Sequence, residues 1–115
     1  MDDKNQALRS AAQAGEVDEV RRLVQLGADV RMQDNEGYTA LHFAACDGQT
    51  ESVKVLVQLG VDVRVRDNDG CTALHLAAIN GNTEALKALV QLGADMHAQR
   101  NDGRTSLHAA ALEGH

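Results

Sequence analysis

Apolar residues along this chain fall in short helical stripes separated by glycine. Ala40, Leu41, Phe43, Ala44 and Ala45 form one run, and Val53, Leu56 and Val57 follow at helical spacing. Thr39 stands where an N-cap belongs, and Gly48 where a left-handed residue would close the first helix. Thr50 is placed to cap the second helix, and Gly60 to stop it. Glu51 and Lys54, three apart, mark its wet face. Ahead of the pair, Asp34-Asn35-Glu36-Gly37 reads as a turn. Behind it, Val61 to Arg66 alternates apolar and polar residues, as an extended arm would. One unit therefore reads turn, helix, turn, helix.

The unit recurs at a fixed step of 33 residues. Gly37-Tyr-Thr-Ala-Leu-His-Phe-Ala-Ala45 returns as Gly70-Cys-Thr-Ala-Leu-His-Leu-Ala-Ala78 and as Gly103-Arg-Thr-Ser-Leu-His-Ala-Ala-Ala111. Leu23-Val-Gln-Leu-Gly-Ala-Asp-Val30 returns at 56–63 and, with Met96 at its end, at 89–96. Such self-similarity marks a stack in which each unit buries its apolar face on its neighbour. The expected organisation is one domain over 1–115: an N-terminal capping repeat at 4–33, full repeats at 34–66 and 67–99, and a truncated repeat at 100–115. The first unit suits a cap, because its second helix, Val17 to Leu26, carries Asp18, Glu19, Arg21 and Arg22. The fourth has a turn and a first helix only. Apolar surface around Leu86, Leu89 and Val90 is then expected to be partly uncovered. Either the chain is a piece of a longer protein, or a partner or second copy covers that end.

The repeated phrases resemble the ankyrin repeat. That family has this period and a Thr-Pro-Leu-His-x-Ala phrase, matched here by Thr39-Ala-Leu-His-Phe-Ala44, Thr72-Ala-Leu-His-Leu-Ala77 and Thr105-Ser-Leu-His-Ala-Ala110. Its Gly-Ala-Asp phrase is matched at Gly27, Gly60 and Gly93. The likeness covers residues 4 to 115 without a gap. One departure is consistent: Ala40, Ala73 and Ser106 replace the proline. Its preset φ is lost, at some cost in stability but none in architecture. The resemblance implies a mainly α, ankyrin-repeat solenoid of three full repeats plus a partial fourth, with helix pairs on one side and short β-hairpin or turn arms on the other. It also implies protein binding, with no catalytic residues and no cofactor.

Composition narrows the partner. The chain has 115 residues, 43% of them hydrophobic, and only Tyr38 and Phe43 are aromatic. The core must therefore be Leu, Val and Ala. A formal charge of -6, with 11 dispersed basic residues against 17 acidic ones, argues against nucleic acid. No apolar stretch nears the ~20 residues of a membrane helix, so no membrane insertion is expected. Met1-Asp-Asp-Lys is wrong for a secretory signal, and two cysteines make no disulfide framework. These features read as an intracellular, cytoplasmic chain, with the nucleus compatible.

Candidate chemistry reduces to little. His42, His75 and His108 occur once per repeat, and packed helices sit roughly 8–10 Å apart, too far for one zinc with bonds of about 2.0–2.1 Å. The resemblance gives these histidines local and inter-unit hydrogen bonds instead. Cys46 and Cys71 belong to different units, which argues against a bridge. No phosphate-binding loop, zinc-protease helix or nucleophile elbow occurs, so no enzyme is read here. Arg31, Arg64 and His97 form a row expected to point into solvent, with a basic edge as the alternative.

Positions that vary within a constant repeat are free of scaffold duty. In the second unit these are Asn35, Glu36, Tyr38, Cys46 and Asp47, with Arg66 closing it. In the third they are Asn68, Asp69, Cys71, Ile79 and Asn80, with Gln99. The fourth offers Asn101, Asp102, Arg104, Leu112 and Glu113. The resemblance places them on a concave face. Tyr38, Cys71, Ile79 and Leu112 supply apolar contact, and Glu36, Asp47, Asp69, Asp102 and Glu113 supply negative charge. The expected function is a protein-interaction scaffold whose partner offers basic and apolar groups, Tyr38 being the leading anchor. Two alternatives stand beside it: a targeting or regulatory segment of a larger, enzymatic protein, and an element that self-associates through the truncated C-terminal end.

Overall fold

The glycine punctuation and the apolar stripes resolve into six helices: α1 (Asp3–Ala14), α2 (Val17–Gln25), α3 (Ala40–Cys46), α4 (Thr50–Gln58), α5 (Ala73–Ile79) and α6 (Thr83–Gln91). They come from a computed structural model that describes residues 3–105. The rest of the fourth unit, with His108, Leu112 and Glu113, lies outside the described residues. The helices pair as α1–α2, α3–α4 and α5–α6. First helices stack on first helices and second on second, each packing on its nearest neighbour, which makes two layers. The molecule measures 40 × 26 × 21 Å. No strand is formed among the described residues. The arms are turns closed by backbone bonds such as Asp34 N to Tyr38 O and Asp67 N to Cys71 O, both 2.9 Å.

The apolar repeat explains the core. Leu8, Leu41 and Leu74 occupy one register position in the first helices, and Leu23, Leu56 and Leu89 one in the second; all are buried. Ala11, Ala12, Ala44, Ala45, Ala77 and Ala78 are buried beside them, and such small side chains let the helices approach closely. Of the three residues expected to be uncovered, Leu86 and Val90 are partly exposed, but Leu89 is wholly buried. It joins the core at the seam where α6 packs on α5 and α4.

Thr39 and Thr72 cap α3 and α5 through reciprocal boxes: the threonine oxygen accepts from the backbone N of His42 or His75, and the histidine ring accepts from the threonine backbone N. Thr50 and Thr83 are not caps. Each is the first helical residue, and Gln49 and Asn82 hold the cap position without a side-chain cap bond. Asn82 is turned toward the previous unit instead, donating to the Ala45 and Cys46 carbonyls at 2.9 and 2.8 Å.

Candidate partner-binding surface

The surface begins with the histidine that closes each box. His42 Nδ1 accepts from Thr39 N at 3.1 Å, so the ring proton sits on Nε2, which donates to the Cys71 carbonyl at 3.0 Å. One residue thus fixes its own helix and ties it to the next arm. Burial holds the His42 pKa below the ordinary imidazole value, outweighing the Cys71 hydrogen bond and the Asp67 and Asp34 charges that favour protonation. His75 repeats the box at 3.0 Å and is likewise lowered by burial. Its Nε2 has no hydrogen bond of good geometry, although the Ala98 and Arg104 carbonyls lie near enough to favour the proton.

Arg31 and Arg64 are exposed, as is His97, but each of the two arginines is also tied to the next unit. Arg31 Nε donates to the Gly60 carbonyl at 3.1 Å and Arg64 Nε to the Gly93 carbonyl at 3.2 Å. Each guanidinium meets a carbonyl just past the C-terminus of the next unit's second helix, where that helix's negative dipole end makes a cation favourable.

The arm tips hold a second set of ties. Asn68 Nδ2 donates to the Asn35 carbonyl at 2.9 Å, and Asn101 Nδ2 to the Asn68 carbonyl at 3.0 Å. Asn68 N donates to the Glu36 carbonyl at 3.0 Å, and Asn101 N to the Asp69 carbonyl at 2.9 Å. Gln33 bridges to the Arg66 carbonyl at 2.9 Å, and Arg66 Nη1 to the Gln99 carbonyl at 2.6 Å. The three asparagines, Arg66 and Gln99 therefore stitch one arm to the next. The signal was available for asparagine, which recurs unchanged at 35, 68 and 101.

Among the other candidates, Glu36, Asp47, Asp69, Asp102 and Arg104 are exposed, and Tyr38, Cys46 and Ile79 are half-buried. Asp102 pairs with Arg100 at 2.7 Å and lies 3.9 Å from Arg104, so its charge is answered locally. Cys71 is only 7% exposed, because its backbone is held by Asp67 Oδ1 and by His42. Asn80 donates to Cys46 Sγ at 3.2 Å and to the Leu76 carbonyl at 3.0 Å. Both cysteines are free. Burial first, then Asp47, pushes the Cys46 thiol above its ordinary value, and burial with Asp67 does so for Cys71. Neither is an activated nucleophile.

Phe43 and Leu76 belong to the apolar runs of α3 and α5. Both are only half-buried and line a cleft of about 190 Å³ with Gln13, Tyr38, His42 and Cys46. The Tyr38 ring stands edge-on to His42 and tilted to Phe43, with ring centroids 5.6 Å apart in each pair. The clue is variation: 41, 42, 44 and 45 repeat unchanged one unit on, whereas Phe43 becomes Leu76.

Among the described residues no cluster of His, Cys, Asp or Glu is arranged to hold a metal, and no helix is long and apolar enough to cross a membrane. A comparison with known families finds the ankyrin-repeat model (3 copies) matching residues 1–67 and again 59–115. No individual curated protein matches the chain.

Proposed function

We propose, from the premise that the chain belongs to the ankyrin-repeat family, that it is a protein-interaction scaffold gripping its partner on the side formed by the arms and first helices. Ankyrin repeats are in general protein–protein interaction modules and typically non-enzymatic. The observation carrying the choice of face is the Tyr38–Phe43–Leu76 cleft, which spans α3, its arm and α5. The opposite face, on the second helices, is a run of exposed i,i+3 pairs such as Glu51–Lys54 and Glu84–Lys87. Such pairs are worth little and satisfy themselves in water. A surface held by inter-unit ties loses little freedom on docking, so more of the contact energy appears as affinity.

The test is photo-crosslinking in the native source. Benzoylphenylalanine is placed at exposed Glu36 or Asp47 on the proposed face, and at exposed Lys54 or Lys87 on the other. Discrete adducts are expected from the first pair alone. Adducts confined to the second pair would overturn the choice of face.

A further inference from the structure

The cleft at Tyr38 differs from its neighbours along the stack. One unit on, Cys71 takes the place of Tyr38 and Leu76 that of Phe43. The hollow there, of about 260 Å³, is lined by Asp69, Cys71, Arg100, Asn101 and Asp102, and Arg100 pairs with Asp102 within it. Among the described residues only the Tyr38 cleft joins two aromatic rings, tilted to each other, to an aliphatic side chain, Leu76. An apolar cavity of about 150 Å³ accepts benzene, so about 190 Å³ admits one side chain up to the size of phenylalanine.

Charge defines what must flank that side chain. Burial first, then the charges of Asp67, Glu36 and Asp69, disfavours ionisation of the Tyr38 phenol, and Asp47 adjoins Cys46 at the far lip. Glu36, Asp47 and Asp69 enter none of the ion pairs among the described residues. Arg66 is directed to the Gly70 and Gln99 carbonyls rather than to these carboxylates, and Arg9 lines the adjoining hollow beside Asp34. The cleft is therefore an apolar socket in a field of unanswered carboxylates.

We infer that this socket binds an extended protein segment carrying one bulky apolar side chain, inserted between Tyr38, Phe43 and Leu76, with a lysine or arginine close in sequence meeting Glu36 and Asp69. This rests on the scaffold reading and narrows its partner to a short basic–apolar motif. Surface carboxylates of this kind act more on choice of partner and on-rate than on raw affinity. Discrimination against an acidic flank is therefore the expected signature.

The probe is a set of twelve-residue synthetic peptides in a Gly/Ser background. Each holds one Phe and one Arg at separations of one to five residues. Tyr38 is the only tyrosine and there is no tryptophan, so intrinsic fluorescence reads this cleft directly. At least one spacing is expected to bind with a matching change in Tyr38 emission. Exchange of its Arg for Glu, or of its Phe for Ser, should weaken binding tenfold or more. In Glu36→Gln/Asp69→Asn, whose replaced side chains are exposed, the Arg-over-Glu preference should fall below threefold while the Phe requirement stays. Equal binding of Arg and Glu peptides, or a preference unchanged in the double variant, would overturn the motif. So would failure of every spacing to exceed the Gly/Ser background. If crosslinking at Glu36 persists in that event, the scaffold reading survives and only the motif is lost; if both fail, both are lost.

Discussion

Replacing Gly37 separates the strain of a backbone conformation from the strain of stacking. Gly27 and Gly37 both hold positive φ, at 106° and 84°, a region that costs an L-residue about 1–2 kcal/mol. A Cβ at Gly27 would approach only Lys4 Nζ, at 3.9 Å. A Cβ at Gly37 would stand 2.8 Å from Asn68 N and 2.9 Å from Asp67 Cα, both backbone atoms of the next arm. The arm would have to move, and forced overpacking costs about 1–3 kcal/mol. The displacement also strains the Asn68 N to Glu36 O bond and the Asn68 Nδ2 to Asn35 O bond. Gly27→Ala is thus expected to lose about 1–2 kcal/mol, and Gly37→Ala about 2–5 kcal/mol. The larger figure is a large share of a domain's typical stability. Urea unfolding followed by far-UV circular dichroism reads both as shifts in midpoint. Gly103→Ala is a second control: it has the same place in the repeat and φ of 83°, with nothing within 4 Å of its Cβ. If Gly37→Ala costs no more than Gly27→Ala, arm-to-arm packing is not what demands glycine, and the account of the stitched arms fails with it.

Two further outcomes follow from buried polar groups. Ser52 Oγ is buried without a partner, whereas the matching residue one unit on is Ala85. Ser52→Ala is expected to raise stability by about 1 kcal/mol, read as a higher urea midpoint; a lower midpoint would mean that the hydroxyl has a partner. For His42 and His75 the folded pKa lies below the unfolded value, so the unfolded chain binds more protons in acid. Stability should be flat above pH ~7, then fall from near the unfolded pKa of about 6.5 down to the folded pKa. Thermal midpoints between pH 8 and 5 test this, and His42→Asn should flatten the slope. An unchanged slope would show that His42 does not carry it.

The chain announced its architecture because the repeat is exact in register and every scaffold residue has a local reason. Threonine caps, glycine takes positive φ, and leucine faces the seam. What it concealed were the ties that cross units, since a bond from Arg31 to the Gly60 carbonyl spans 29 residues and has no local signature. Arg66 varies and so looked free, yet its guanidinium is spent on the next arm's backbone. A carbonyl accepts from many donors, so Gln33 and Arg66 satisfy the same place with different side chains. Phe43 sits in an apolar helical run, yet it is half-buried and lines the cleft, because the face of α3 that carries it opens onto the arms.

These cross-unit ties bear on recognition as well as on stability. A segment touching both Tyr38 and Leu76 bridges the second and third units, and so it binds only while those units are stacked. The contacts that hold them together, His42 to the Cys71 carbonyl and Asn80 to Cys46, lie at the cleft itself. Binding therefore adds free energy to the same interface that builds the site, stabilising the stacked form by mass action. Conversely, any opening of that seam lowers apparent affinity in proportion to the fraction of molecules left stacked. Tyr38, Phe43 and Leu76 are free to vary because His42 and Asn68 are not: the residues that read a partner are aimed by those that hold successive units in register.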